Sequence, residues 1–198
     1  MKSQLHNHIF SIFRYPKEQL HVTLQYFVKG LIENQKCVYI ADEKSRNNLE
    51  AELKITFDNV DEMISKKQLV LIDSELLYSK NEAQPRTEMI KFAKEIEKQA
   101  EKDGFDKVVF SGVPHLSKDE KIEDEVLKYE QMIDEFSKKS RSTIICNCNE
   151  TIFQKDTLLK LINKHKFIII YGEKYKIDKK FLPSDYIEAI EFILSDKK

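Results

Sequence analysis

Short apolar runs alternate along this chain with stretches whose apolar residues recur every three to four positions. The runs are His8-Ile9-Phe10-Ser11-Ile12-Phe13, Cys37-Val38-Tyr39-Ile40-Ala41, Leu69-Val70-Leu71-Ile72, Val108-Val109-Phe110, Thr143-Ile144-Ile145-Cys146-Asn147-Cys148 and 167–171. Their length and their content of Val, Ile and aromatic residues predict six strands. Between them, Leu20, Leu24, Phe27, Val28 and Leu31 keep helical spacing behind Pro16, a residue suited to a first helical turn. The same reasoning predicts helices over 44–57, 85–102 (stopped by Asp103-Gly104), 118–139 and 153–164, and a last one opened by Pro183. Near-continuous Val/Ile strands are buried on both faces, as in a parallel sheet covered by helices. Right-handed crossovers then predict an α/β fold: a three-layer, doubly wound, mostly parallel sheet.

Composition narrows the picture. A chain of 198 residues suits one domain spanning 1–198. Lys and Arg number 33 against 34 Asp and Glu. Without a basic excess, nucleic acid is not an expected partner. The densest basic stretch, 174–180, is broken by Tyr175, Ile177 and Asp178 and reads as a solvated connection. No window approaches the ~18 apolar residues of a membrane span. The first residues lack the apolar run of a signal peptide, and three cysteines make no disulfide framework. The expectation is a cytoplasmic protein with no membrane partner.

Ligands of doubly wound sheets bind beyond the carboxyl ends of the strands. That rule singles out Arg14 and Tyr15, Asp42, Asp73, residues 112–115 and residues 147–149. The first such turn reads Phe13-Arg14-Tyr15-Pro16-Lys17-Glu18. It has no glycine to bare backbone amides, its proline removes a donor, and it lacks the Lys-Ser/Thr pair of a phosphate-binding loop. The fourth strand ends Val109-Phe110-Ser111-Gly112, with no acid to organise Mg²⁺. No G-x-S-x-G elbow or nucleophile–base pair appears. ATP hydrolysis is not expected, nor is any other catalysis, resident cofactor or metal.

In order and spacing, these segments resemble the MEDS family, the methanogen/methylotroph sensory domain. The matching features are His8-Ile9, Phe27-Val28-Lys29-Gly30-Leu31, Lys36 through Asp42, Gln68-Leu69, Tyr129-Glu130, Ile145-Cys146-Asn147-Cys148-Asn149 with Phe153, and His165. The resemblance implies a degenerate RecA-like domain, of the P-loop-NTPase type without the P-loop, that senses small molecules, with hydrocarbon derivatives suggested. Such domains stand alone or are joined to histidine kinases or DNA-binding helices. The implied partners are therefore a small-molecule ligand and a signalling protein, a histidine kinase or a transcription regulator. The chain departs from the family at Cys146-Asn147-Cys148-Asn149, at His165-Lys166 and at Ser111 through Leu116, and has no Trp.

The candidate ligand-binding set is Arg14, Tyr15, Asp42, His115, Glu130, Cys146 and Asn149. Arg14 and Tyr15 either bind an anionic or planar ligand or plug the vacated phosphate site. A strand-end Asp such as Asp42 more often caps the next helix. His115 follows the fourth strand as a ligand-side donor or a solvated loop residue. Glu130 needs a partner if buried, and a link to Arg14 is one candidate. His8 reads as a satisfied core histidine, and His165 as a helix-end group. Cys146 and Cys148 share one strand face, as core or as redox or metal groups; a zinc site at Cys146 and Cys148 would need two further ligands. A sensory domain is the leading reading. The alternatives are a protein-docking scaffold that can pair as a homodimer and a thiol redox sensor using Cys146 and Cys148.

Overall fold

A computed structural model describes residues 8–79, 85–113, 122–176 and 185–195. In chain order the elements are β1 (His8–Phe13), α1 (Pro16–Ile32), β2 (Lys36–Ala41), α2 (Glu43–Thr56), α3 (Val60–Ser65), β3 (Leu69–Asp73), α4 (Ser74–Ser79), α5 (Pro85–Lys102), β4 (Val108–Gly112), α6 (Ile122–Ser137), β5 (Thr143–Asn149), α7 (Lys155–Lys164), β6 (Phe167–Ile170), β7 (Glu173–Lys176) and α8 (Tyr186–Ser195). All six predicted strands form. They lie in the order β3-β2-β4-β5-β1-β6 and every pairing among them is parallel. This is the sheet of a three-layer, RecA-like α/β fold.

Three features depart from the sequence reading. Residues 174–176, read as a solvated connection, belong to β7, which pairs antiparallel with β6. Tyr171 and Gly172 both take positive φ, and that reverses the chain into a hairpin. The short helices α3 and α4 were not foreseen, because six residues show too few turns to display a period. Asp73 starts α4, its Oδ1 accepting from the Glu75 N–H at 2.8 Å.

Strand alternation divides the core in two. Phe10, Ile12, Val38, Ile40, Phe110, Ile144, Cys146 and Ile168 face the layer of α5, α6, α7 and α8. Ile9, Cys37, Tyr39, Val109, Ile145 and Ile169 face α1, α2 and α3. On that second side α1 lies very close to the sheet at Gly30, where an added Cβ would stand 3.0 Å from both Cys37 Sγ and Val109 Cγ2. Overpacking such a contact costs about 1–3 kcal/mol. Gly30→Val should therefore lower the unfolding free energy measured by urea denaturation by an amount in that range; an unchanged value would mean that α1 is free to lift.

Candidate functional site

The turn after β1 is closed from within. Glu18 Oε2 accepts from the backbone N–H groups of Arg14 (2.8 Å) and Tyr15 (3.0 Å), two donors a phosphate would otherwise meet. The Arg14 side chain turns to Glu150, with Nε donating to Oε1 at 2.5 Å. Glu150 Oε2 also accepts from the hydroxyls of Tyr171 (2.5 Å) and Tyr186 (3.1 Å). The Arg14 guanidinium lies 5.2 Å from the Tyr171 ring centre. Burial, then the Glu150 carboxylate, push the Tyr171 hydroxyl up to about 12. The carboxyl edge at β5-β1-β6 is thus held by an internal polar knot. A link from Arg14 to Glu130 is not formed; Glu150, just past β5, is the acid in reach.

The other predicted residues at this edge have local partners. Tyr15 is 55% exposed and precedes α1. Asp42 caps α2, accepting from Ser45 N–H at 2.9 Å and Ser45 Oγ at 2.8 Å. Burial would raise its carboxyl, but the Ser45 donors prevail and hold it below the ordinary value. Asn149 Oδ1 accepts from the Thr151 N–H at 3.0 Å in an Asx turn. Asn147 faces α1 and donates to Ser111 Oγ at 3.0 Å. His115 lies outside the described residues.

Glu130 and Cys146 come together elsewhere, beneath α6 on the opposite face of the sheet. Glu130 is 2% exposed. Its Oε2 lies 3.2 Å from His8 Nε2 and 3.3 Å from His165 Nε2, and the two ring nitrogens are 3.3 Å apart. Cys146 Sγ stands 3.4 Å from His8 Nε2. β1 supplies His8, β5 supplies Cys146, α6 supplies Glu130, and the end of α7 supplies His165. His165 does end its helix, as the sequence suggests, but it turns inward, stacks on Phe10 with ring centres 5.0 Å apart, and is buried. Its Nδ1 donates to the Leu161 carbonyl at 2.7 Å. Sequence spacing holds no sign of this set, whose members are scattered over most of the chain. The cues were that His8, Glu130, Cys146 and His165 all stand among the residues that carry the family resemblance and that His8, Glu130 and His165 each border an apolar run.

The electrostatics follow from the burial. Burial alone would raise the Glu130 carboxyl; the adjacent His165 and His8 rings outweigh it and hold the group well below the usual carboxylate range. Burial, and then Glu130, push the Cys146 thiol well above its ordinary value, and burial does the same to Cys148. Thiols so disfavoured as thiolates are poor nucleophiles.

Beside this cluster a cavity of about 60 Å³ opens between the sheet and the helices α5 and α6. Its walls are apolar, formed by Met89, Phe92, Phe110, Ile133 and Phe136, and Cys146 joins it to the cluster. It runs along the face of β4 and β5 and reaches the carboxyl edge only at Gly112 and Val113. Of the six predicted residues that are described, only Cys146 is among its lining. Among the described residues no helix is long and apolar enough to cross a membrane.

Fold and site together define a RecA-like α/β domain with a self-closed phosphate turn and a buried polar cluster beside an apolar cavity. The family model described as MEDS, the MEthanogen/methylotroph, DcmR Sensory domain, matches residues 7–166. The chain belongs to that family. A search of curated proteins found no match. The matched span contains His8, Glu130, Cys146 and His165, whereas β6, β7 and α8 lie beyond it.

The depressed Glu130 carboxyl fixes the sign of one pH effect. An unfolded Glu titrates near about 4.3, so its contribution is fully present above about pH 5 and is lost as pH falls through the acid range. In chelator-treated protein, Glu130→Gln should lower stability near neutrality by about 1–3 kcal/mol. The variant should also lose less than the parent between about pH 5.5 and about pH 3.5, since the titrating group is gone. Urea midpoints at the two pH values measure this; equal acid losses in both proteins would contradict the assignment.

Proposed function

We propose that this chain is a non-catalytic sensory domain that takes a small, largely apolar molecule into the cavity between β4, β5, α5 and α6 and passes its state to a separate signalling protein. The sensory role is what membership of the family suggests. The cavity carries the rest: its apolar walls favour carbon-rich ligands, and about 60 Å³ leaves room for only a few heavy atoms. Short-chain alcohols, thioethers and alkyl halides fit that description. The output partner is a histidine kinase or a transcription regulator, as the resemblance implies. The self-closed first turn supports a non-enzymatic reading, because Glu18 holds the Arg14 and Tyr15 amides and Glu150 holds the Arg14 side chain. A thiol-redox reading has less support, since both thiols are buried and shifted toward the protonated form.

A thermal-shift screen with those compounds tests the ligand. Saturation at 100 Kd adds about 2.7 kcal/mol, which raises the melting temperature by roughly 5–10 °C for a chain of this size. Ala93→Leu places extra carbon in the cavity and should abolish the shift while leaving the ligand-free melting temperature unchanged or higher. If no compound of the class shifts melting, or if Ala93→Leu leaves the shift intact, the cavity is not the sensing site. Calorimetry with Mg·ATP should show no binding heat; micromolar binding would overturn the non-enzymatic reading.

A further inference from the structure

We propose that His8, Glu130 and His165 form a binding site for one divalent transition-metal ion of the zinc class. The three nearest ligand atoms, His8 Nε2, His165 Nε2 and Glu130 Oε2, make a triangle with sides of 3.2, 3.3 and 3.3 Å. A tetrahedral zinc ion with bonds of about 2.0–2.1 Å holds such atoms about 3.3–3.4 Å apart. The spacing is that of a ligand shell. Cys146 Sγ lies 3.4 Å from His8 Nε2 but stands outside the group of ligand atoms that are all within 4.8 Å of one another, which is His8, Glu130 and His165.

Hydrogen-bond chemistry points the same way. A carbonyl oxygen can only accept, so His165 Nδ1 carries the hydrogen given to Leu161 and a neutral ring presents a lone pair at Nε2. Outer contacts of this kind orient metal-bound histidines. That lone pair faces Glu130 Oε2 and His8 Nε2. His8 Nε2 has at most one hydrogen for three neighbours: a sulfur, a nitrogen and a carboxylate oxygen. Glu130 Oε2 is fully buried and, despite the short contacts, receives no bond of hydrogen-bond geometry. Acceptors converge here on a point where a cation would serve all of them.

Charge balance favours a dication. A buried carboxylate is costly unless matched. An ion of charge +2 meets the Glu130 carboxylate while the two imidazoles stay neutral, and its fourth position is left for water, as in two-histidine, one-carboxylate zinc sites. Two imidazoles with one carboxylate suit zinc and cobalt rather than magnesium or calcium.

The test uses the full chain and metal alone, so it is separate from the screen for organic ligands. Chelator-treated protein is titrated with Zn²⁺ by calorimetry and with Co²⁺ by absorbance. The expected result is one ion per chain and intense tetrahedral cobalt bands without a thiolate-to-cobalt band, since Cys146 stands outside the ligand group. Cys146→Ser should leave the stoichiometry and the cobalt bands in place. His165→Gln should weaken binding by more than about 100-fold, since groups that merely orient a ligand are worth about 10–100-fold. Circular dichroism and a cooperative urea transition check that each variant folds; should His165→Gln fail, the parent's stoichiometry and cobalt spectrum still decide the matter. No one-to-one binding, octahedral cobalt bands, or an unchanged affinity in folded His165→Gln would overturn the proposal.

Discussion

The Glu130 carboxylate sits in the middle of a helix, under that helix, and 2% exposed. A charge in that position has to be matched on the spot, because leaving it alone would cost several kcal/mol. The matching groups come from two directions: His8 from the first residue of β1 and His165 from the end of α7. The cluster therefore fixes where α6 lies over the sheet, and with it Ile133 and Phe136, one and two turns further along α6, as walls of the cavity. Apolar burial alone would hold α6 to the sheet without setting its rotation or height so tightly. The directional partners supply that, and Phe10 stacking on His165 fixes the ring that meets the acid.

The carboxyl edge shows the opposite use of acids. Glu18 and Glu150 place carboxylates where RecA-like relatives with a phosphate loop would present donors to an anion. An attached carboxylate meets the Arg14 and Tyr15 amides without losing translational freedom, so an external phosphate competes at a disadvantage. It would also approach two negative groups with Arg14 already engaged. The edge is thus closed by electrostatics as well as by shape.

Much of this was legible in the sequence. The six parallel strands declared themselves through unbroken Val/Ile runs, and the bounds of α5 and β5 lie within a residue of the pattern. The missing phosphate loop was a local absence that a turn of six residues could reveal. The cluster was not local. His8, Glu130, Cys146 and His165 converge only because β1 is inserted between β5 and β6, a strand order that apolar periodicity does not encode. Treating the residues singly made His8 core, His165 a helix end, and Arg14 one candidate partner for Glu130. The first two descriptions hold as far as they go, and the third fails because Arg14 points to the far end of the strand. What decided each case was a neighbour distant in sequence, as for His8 and Cys146, 138 residues apart.

β5 is where the two sides of the sheet meet. Cys146 faces the cluster and the cavity, while its neighbour Asn147 points through to α1. On that side Asn147 Nδ2 donates to Ser111 Oγ, which is 2.9 Å from Thr23 Oγ1 of α1. Yet Asn147 Oδ1 and the facing Ser11 Oγ, register partners on β5 and β1, are both buried without a hydrogen-bond partner among the described residues. An unmatched buried polar atom costs about 1–3 kcal/mol, and nearly all such atoms in folded chains find partners. The pairing of β1 with β5 is thus least satisfied on the α1 side, at the strands that supply His8 and Cys146 to the other. Any change in the spacing of these two strands is felt on both faces at once, because successive side chains of one strand cannot move independently of its backbone.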